Sequence, residues 1–119
     1  MQKSIMLEKA KDFAVEIVKL CRKVRATKRE TVLTNQLLRS GTSIGANIHE
    51  SKYAYSSADF TFKMQTSLKE CYESEYWLEL LHKTGYINEE EYKSFANECS
   101  QIRRMLISSI NTLKAKANS

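Results

Sequence analysis

Few residues in this chain are suited to chemistry, and the first are Glu79-Leu80-Leu81-His82, a carboxylate and an imidazole one helical turn apart. Glu-x-x-His is half of a di-iron carboxylate site, which needs a second such unit and two further glutamates. The only other histidine, His49, has Ala46 where that second glutamate must stand. His49-Glu50 also opens like the H-E-x-x-H of a zinc hydrolase, but Tyr53 takes the place of the second imidazole ligand. No phosphate-cradling glycine loop, serine nucleophile elbow or cysteine–histidine motif is present. Both histidines are read as surface or interface residues, and no enzyme activity, metal or cofactor is expected.

The thiols lead to the same place. Cys21, Cys71 and Cys99 are odd in number, far apart, and form no C-x-x-C pair. Each falls on an apolar helical stripe, so buried reduced thiols and a cytoplasmic location are expected rather than a disulfide framework.

Charge offers a binding chemistry instead. The net charge is +5, yet residues 1–30 carry nine Lys or Arg against four acids, whereas residues 57–92 carry three against eight. Arg22, Lys23, Arg25, Lys28 and Arg29 are the densest cationic cluster, with Arg103, Arg104, Lys114 and Lys116 as candidate partners. Such a surface suits the phosphates of RNA or DNA. The alternative is a solvated helix end whose cations complement the helix dipole. The charge asymmetry also suits a head-to-tail ring in which acidic and basic faces of neighbouring copies meet. Tyr53 and Tyr55 lie in a predicted loop, where they could stack on bases; packing under the bundle end or at a subunit contact is the expectation.

A third set is polar and central. In Gln36-Leu37-Leu38-Arg39-Ser40-Gly41-Thr42-Ser43-Ile44-Gly45-Ala46-Asn47-Ile48, small and polar residues stand where leucines are usual. Leu33, Leu37, Ser40, Ile44, Ile48 and Ser51 share one helical face, with Gly41 and Gly45 beside it. Each helical glycine costs about 0.5–1 kcal/mol relative to alanine, so close approach of another helix is the expected compensation. Arg39, Ser40, Ser43 and Asn47 are then expected to meet Ser67, Glu70, Ser74 and Glu73 of the following helix in a polar network that fixes register; the alternative is that Arg39 and both glutamates are solvated and unconnected.

The elements that position these residues are all helices. Apolar residues make up 42% of the chain and charged residues 28%, which are globular values, and a domain with no proline and three glycines has little provision for turns. No apolar run approaches the roughly 18 residues of a membrane span, and the charged N-terminal segment does not read as a signal peptide. A first helix is predicted over Ile5 to Arg25, with Met6, Ala10, Phe13, Ile17, Cys21 and Val24 at steps of three and four. Thr27-x-x-Glu30 reads as a capping box for the second, with Thr34 as another possible start; that helix ends near Tyr53, and Ser56-x-x-Asp59 starts a third along Phe60, Met64, Ser67 or Leu68, Cys71, Ser74, Leu78 and Leu81. Gly85 stops it, Asn88 caps a fourth with an acidic first turn, and that helix carries Tyr92, Phe95, Cys99, Ile102, Leu106, Ile110 and Leu113. Short connections between long amphipathic helices predict one all-α domain over residues 1–119, an antiparallel up-down-up-down four-helix bundle.

The segment from Gln36 to Ile48, with Asp59-Phe60, Ser67-Leu68-Lys69-Glu70 and Glu75-Tyr76-Trp77-Leu78-Glu79-Leu80-Leu81-His82-Lys83-Thr84-Gly85-Tyr86-Ile87, closely resembles the bacterial four-helix-bundle proteins of the 23S rRNA intervening-sequence family. The resemblance spans roughly residues 5–115. It implies a cytoplasmic, non-catalytic, ribosomal-protein-like bundle, a ring-shaped homopentamer, related to the nucleic-acid-associated accessory variability determinant of diversity-generating retroelements. On the family pattern Arg39, Ser40, Ser43, Asn47, Glu50, Ser67 and Glu70 are structural. Many members carry Ala-Glu-Gly after the Asn-Ile pair, whereas this chain has His49-Glu50-Ser51. The expected partners are further copies of the chain and RNA or DNA; the alternative is a scaffold for a protein partner without nucleic-acid affinity.

Overall fold

A computed structural model describes residues 4–118. Four helices account for nearly all of them: α1 (Ile5–Lys28), α2 (Val32–Ser51), α3 (Ser57–Lys83) and α4 (Glu89–Ala117). The neighbours are α1 with α2, α2 with α3, α3 with α4, and α4 with α1, so the helices stand at the corners of a square. The body measures 51 × 24 × 21 Å. Among the described residues no helix is long and apolar enough to cross a membrane.

The apolar periodicity becomes the core with small shifts of phase. Ile17, Leu37, Ile44, Leu78, Leu81, Ile102 and Leu106 are almost completely shielded, each such burial being worth about 2 kcal/mol. On α1, Leu7 and Leu20 are buried while Met6 is only partly so. On α3 the inward residue is Ser67, with Leu68 at the margin. Leu33 lies at the edge of the α2 stripe and the hydroxyl of Thr34 takes the core position.

Helix ends follow local chemistry, with one correction. Ser4 accepts from the Leu7 amide, Ser56 from the Asp59 amide, and Asn88 forms a reciprocal capping box with Glu91. The expected Thr27–Glu30 box does not form. Thr27 is still inside α1, its hydroxyl donating to the Lys23 carbonyl, and the Glu30 carboxylate instead accepts from the amides of Leu33 and Thr34 at 2.7 and 2.9 Å. A carboxylate reaching two free amides at a positive helix end makes a stronger cap than a hydroxyl. The helix α1 closes on Arg29 in the left-handed conformation (φ 56°), and α3 closes before Gly85 (φ 83°). Glycine adopts that geometry without strain, whereas arginine does so at a cost. Helix α2 ends at Ser51, two residues before the expected Tyr53.

Candidate functional site

The small residues of α2 divide their work between two neighbours. A Cβ on Gly41 would lie 3.0 Å from Ile17 Cγ2, and one on Gly45 would lie 3.4 Å from the Ala10 Cβ, so both glycines admit α1. The helix whose close approach compensates the glycines is therefore α1, while α3 is admitted by the serines. Ser74 Oγ and Ser40 Oγ are 3.0 Å apart and Ser67 Oγ donates to the Ile44 carbonyl at 2.8 Å, all three serines being fully buried. Among the described residues no buried side-chain nitrogen or oxygen lacks a partner.

At the rim of this seam Arg39 spans two carboxylates. Its Nη1 donates to Glu70 Oε2 at 3.1 Å and its Nη2 to Glu73. Trp77 Nε1 also donates to Glu73, at 3.1 Å. The Arg39 hydrogen bond holds the Glu73 carboxyl below its ordinary range, whereas burial raises Glu70 against the opposing pull of Arg39. Sequence reasoning missed Trp77, although its i,i+4 spacing from Glu73 on one helix was a usable signal. Two expected members stay out of the network. Ser43 Oγ donates to the Arg39 carbonyl and Asn47 Nδ2 to the Ser43 carbonyl, because side chains on that flank reach only their own preceding turn.

The expected basic surface also separates. Lys23 pairs with Glu91, Arg25 donates to Thr34 Oγ1 at 3.1 Å and to Asn35, and Lys28 donates to the Gly85 carbonyl at 3.0 Å. These contacts tie the C-terminal end of α1 to α2 and to the α3–α4 turn. Arg22 and Arg29 are exposed and carry no ion pair or side-chain hydrogen bond among the described residues. Arg103 and Arg104 do not join them. They lie about 20 Å of helix rise beyond Glu91, the residue that meets Lys23. Arg103 is held by Glu75 at 2.8 Å and sits 5.8 Å from the Tyr72 ring centre, and Arg104 donates to the Ser100 carbonyl at 3.4 Å.

Within the chain, Glu70 and Glu73 of α3 are matched by Arg39, Glu75 by Arg103 and Glu79 by Lys83. The outer side of α3 mixes three exposed aromatics, Phe62, Tyr72 and Tyr76 at 62%, 50% and 55%, with the exposed polar side chains of Gln65, Lys69, Glu79 and Lys83. Tyr53 and Tyr55 are not packed under the bundle end; they are 71% and 98% exposed, and the Tyr53 ring meets that of His49 edge-on.

The chemistry-bearing residues of the opening sequence reading are placed apart. His82 stacks on Tyr92, with ring centres 4.6 Å apart, and His49 is at the surface near the far end of α2. Among the described residues no group of three metal-binding side chains converges. All three thiols are buried and free. Burial pushes Cys21 up to about 11. The neighbouring Cys71 thiol, together with burial, raises Cys99 much further. Thiols kept protonated in this way are poor nucleophiles.

The fold finds a close match among known structures. A structure of a protein with unknown function from the S23 ribosomal protein family of Bacteroides thetaiotaomicron VPI-5482 is 48% identical and superposes with a TM-score of 0.88, covering 89% of this chain and 98% of that one. Comparison with curated proteins yields no match. The model of one protein family matches residues 2–108, which is most of the chain and includes the whole α2–α3 seam. This chain belongs to the family of 23S rRNA-intervening sequence proteins.

Proposed function

We propose that this protein is a non-catalytic accessory bundle of the cytoplasm that binds the sugar-phosphate backbone of RNA at the corner where α1 turns into α2. The observation that carries the reading is Arg29. It is exposed, unpaired among the described residues, and held at φ 56°, a conformation that favours glycine or asparagine over arginine. Nothing in the fold requires a guanidinium at this strained position, and Arg22 projects from the same end equally unspent. Lys28, on the adjoining face of the last turn of α1, makes an exposed contact to a carbonyl, which a phosphate would replace. The family's description as 23S rRNA-intervening sequence proteins supports RNA as the polyanion. A joint Arg22→Ala, Arg29→Gly variant is expected to weaken RNA binding and to flatten the dependence of log affinity on log salt by about 1.4, from two lost phosphate contacts at about 0.7 each on a single strand. An unchanged slope would overturn the reading.

A second reading is favoured by the outer face of α3. Phe62, Tyr72 and Tyr76 are large exposed aromatics of the kind that marks interaction surfaces, and they support assembly of copies into the closed ring that the family resemblance implies. Light scattering coupled to size exclusion is expected to give an oligomer for the parent chain and a folded monomer for Tyr72→Lys with Tyr76→Lys. A monomeric parent at every concentration would remove this reading. A scaffold that assembles and ignores RNA would show the first result without the salt dependence.

A further inference from the structure

The basic corner borders a crevice of about 430 Å³ between the last turns of α1 and the α3–α4 turn. Its volume is within the range of small-molecule sites, about 300–1,000 Å³. The apolar part of its lining comes from Val24, Tyr86 and Ile87, with Val24 and Ile87 closed off from solvent and Tyr86 partly buried against the core. Its lining residues carry both polarities of hydrogen-bonding group: the Thr27 hydroxyl, which donates to the Lys23 carbonyl, the Asn88 side-chain amide, the Gly85 carbonyl, which accepts from Lys28, and the Glu91 carboxylate paired with Lys23. Asn88 uses only its oxygen in capping α4, which leaves its NH2 free to donate. A Cβ built on Gly85 meets nothing within 4 Å, so the turn leaves that wall open.

A site for phosphate alone would be lined by donors. Here a carbonyl and an amide donor accompany an aromatic and aliphatic lining, while the cations, Lys23 and Lys28, stand at the edge. That is the complement of a nucleobase, which is flat and apolar on its faces and has donors and acceptors around its edge, joined to a phosphate outside. The lysines already span the crevice, Lys23 to Glu91 and Lys28 to the Gly85 carbonyl. Both contacts are exposed on the lysine side, so they can exchange for phosphate contacts when a strand arrives.

We infer that this crevice receives one unstacked base of single-stranded RNA, stacked on Tyr86 and hydrogen-bonded to Asn88 and the Gly85 carbonyl, while Lys23 and Lys28 at its edge hold the flanking phosphates. The inference rests on the RNA reading of the basic corner and adds to it a preference for unpaired bases. Fluorescence anisotropy at one fixed salt concentration tests it with three probes: a single-stranded RNA of about ten nucleotides, a duplex of the same length, and a base-free ribose-phosphate strand. The single strand is expected to bind about tenfold more tightly than the base-free strand. Tyr86→Leu is expected to remove that advantage and leave base-free binding unchanged. Because Tyr86 also touches the core, Thr27→Met serves as a second variant; it lies on the exposed face of α1, keeps the helix, and obstructs the crevice with the same expected loss. Equal binding of all three probes by the parent would overturn the base site and leave the phosphate reading standing. An advantage that survives Thr27→Met and a folded Tyr86→Leu would place the base elsewhere and also overturn the inference. Absence of binding to any probe would sink both readings.

Discussion

Ser74 and Ser40 face each other across the α2–α3 seam with hydroxyl oxygens 3.0 Å apart, and both side chains are fully buried. Ser40 can pass the chain on to the Leu37 carbonyl at 3.4 Å. This pair sets how near α3 comes to α2, while Gly41 and Gly45, on the flank of the same helix, set how near α1 comes. Helix α2 is the shortest of the four and is packed on two sides, so its small residues serve two interfaces at once.

The two glycines are expected to respond differently to alanine. Gly45→Ala adds a Cβ at ordinary contact distance from Ala10 and gains helix propensity, for a stabilisation of about 0.5–1 kcal/mol. Gly41→Ala puts its Cβ 3.0 Å from Ile17, a fully buried β-branched side chain with almost no alternative rotamer in a helix. It is expected to destabilise by about 1 kcal/mol. Denaturant melts of both variants check the contrast, and a gain of stability in Gly41→Ala would show that Ile17 yields.

Capping of α2 belongs to Glu30. Glu30→Ala removes the acceptor of two amide hydrogen bonds and is expected to cost about 1–2 kcal/mol. Thr31→Ala is expected to cost little, because its side chain makes no capping bond. Thermal melts that ranked Thr31 above Glu30 would contradict the assignment.

The Arg39 fork is expected to be asymmetric in pH. Glu73 has a lowered pKa, so its stabilisation is present above the ordinary carboxyl value and is lost as pH falls through the lowered one. Glu70 has a raised pKa, so the burial penalty on its charge, present at neutral pH, is relieved as pH falls through that raised value. At pH 7, Glu73→Gln is expected to cost about 0.5–1 kcal/mol, as befits a half-exposed pair. Glu70→Gln should stay within about 0.5 kcal/mol of the parent, since removing a poorly solvated charge offsets the lost bond. The difference between the two should fade below about pH 4. Urea titrations across that range measure it, and equal costs at pH 7 would refute the asymmetry.

Arg29 is expected to trade stability for binding. Arg29→Gly relieves the left-handed backbone strain and should raise stability by about 0.5–1 kcal/mol while lowering RNA affinity. A melt and a binding titration on the same variant check both halves. A variant that gained stability with no loss of affinity would separate the strain from the function.

Much of this molecule is legible in its sequence because helix periodicity, caps and stops are local. The α4 stripe of Cys99, Ile102, Leu106 and Ile110, the Asn88 capping box and the Gly85 stop all appear as their residues and spacing dictate. The meeting of Arg39 with Glu70 and Glu73 was also readable, because two adjacent amphipathic helices leave few partners for a guanidinium at their edge. The Thr27–Glu30 box failed because α1 runs one turn further than its stripe suggests, and Arg25 is drawn on to Thr34 and Asn35 of α2.

By itself the sequence determined four helices, their inner faces and the family, since each of these depends on contacts along one helix or across one turn. Tertiary structure alone decided which neighbour each small residue of α2 admits and which charges are spent inside the fold. A helix turns by about 100° per residue, so Ser40 and Gly41, adjacent in sequence, look toward different helices. A lysine or arginine reaches far enough that only the packed bundle shows whether it ends on a carboxylate, as Lys23 does on Glu91, or in solvent, as Arg29 does.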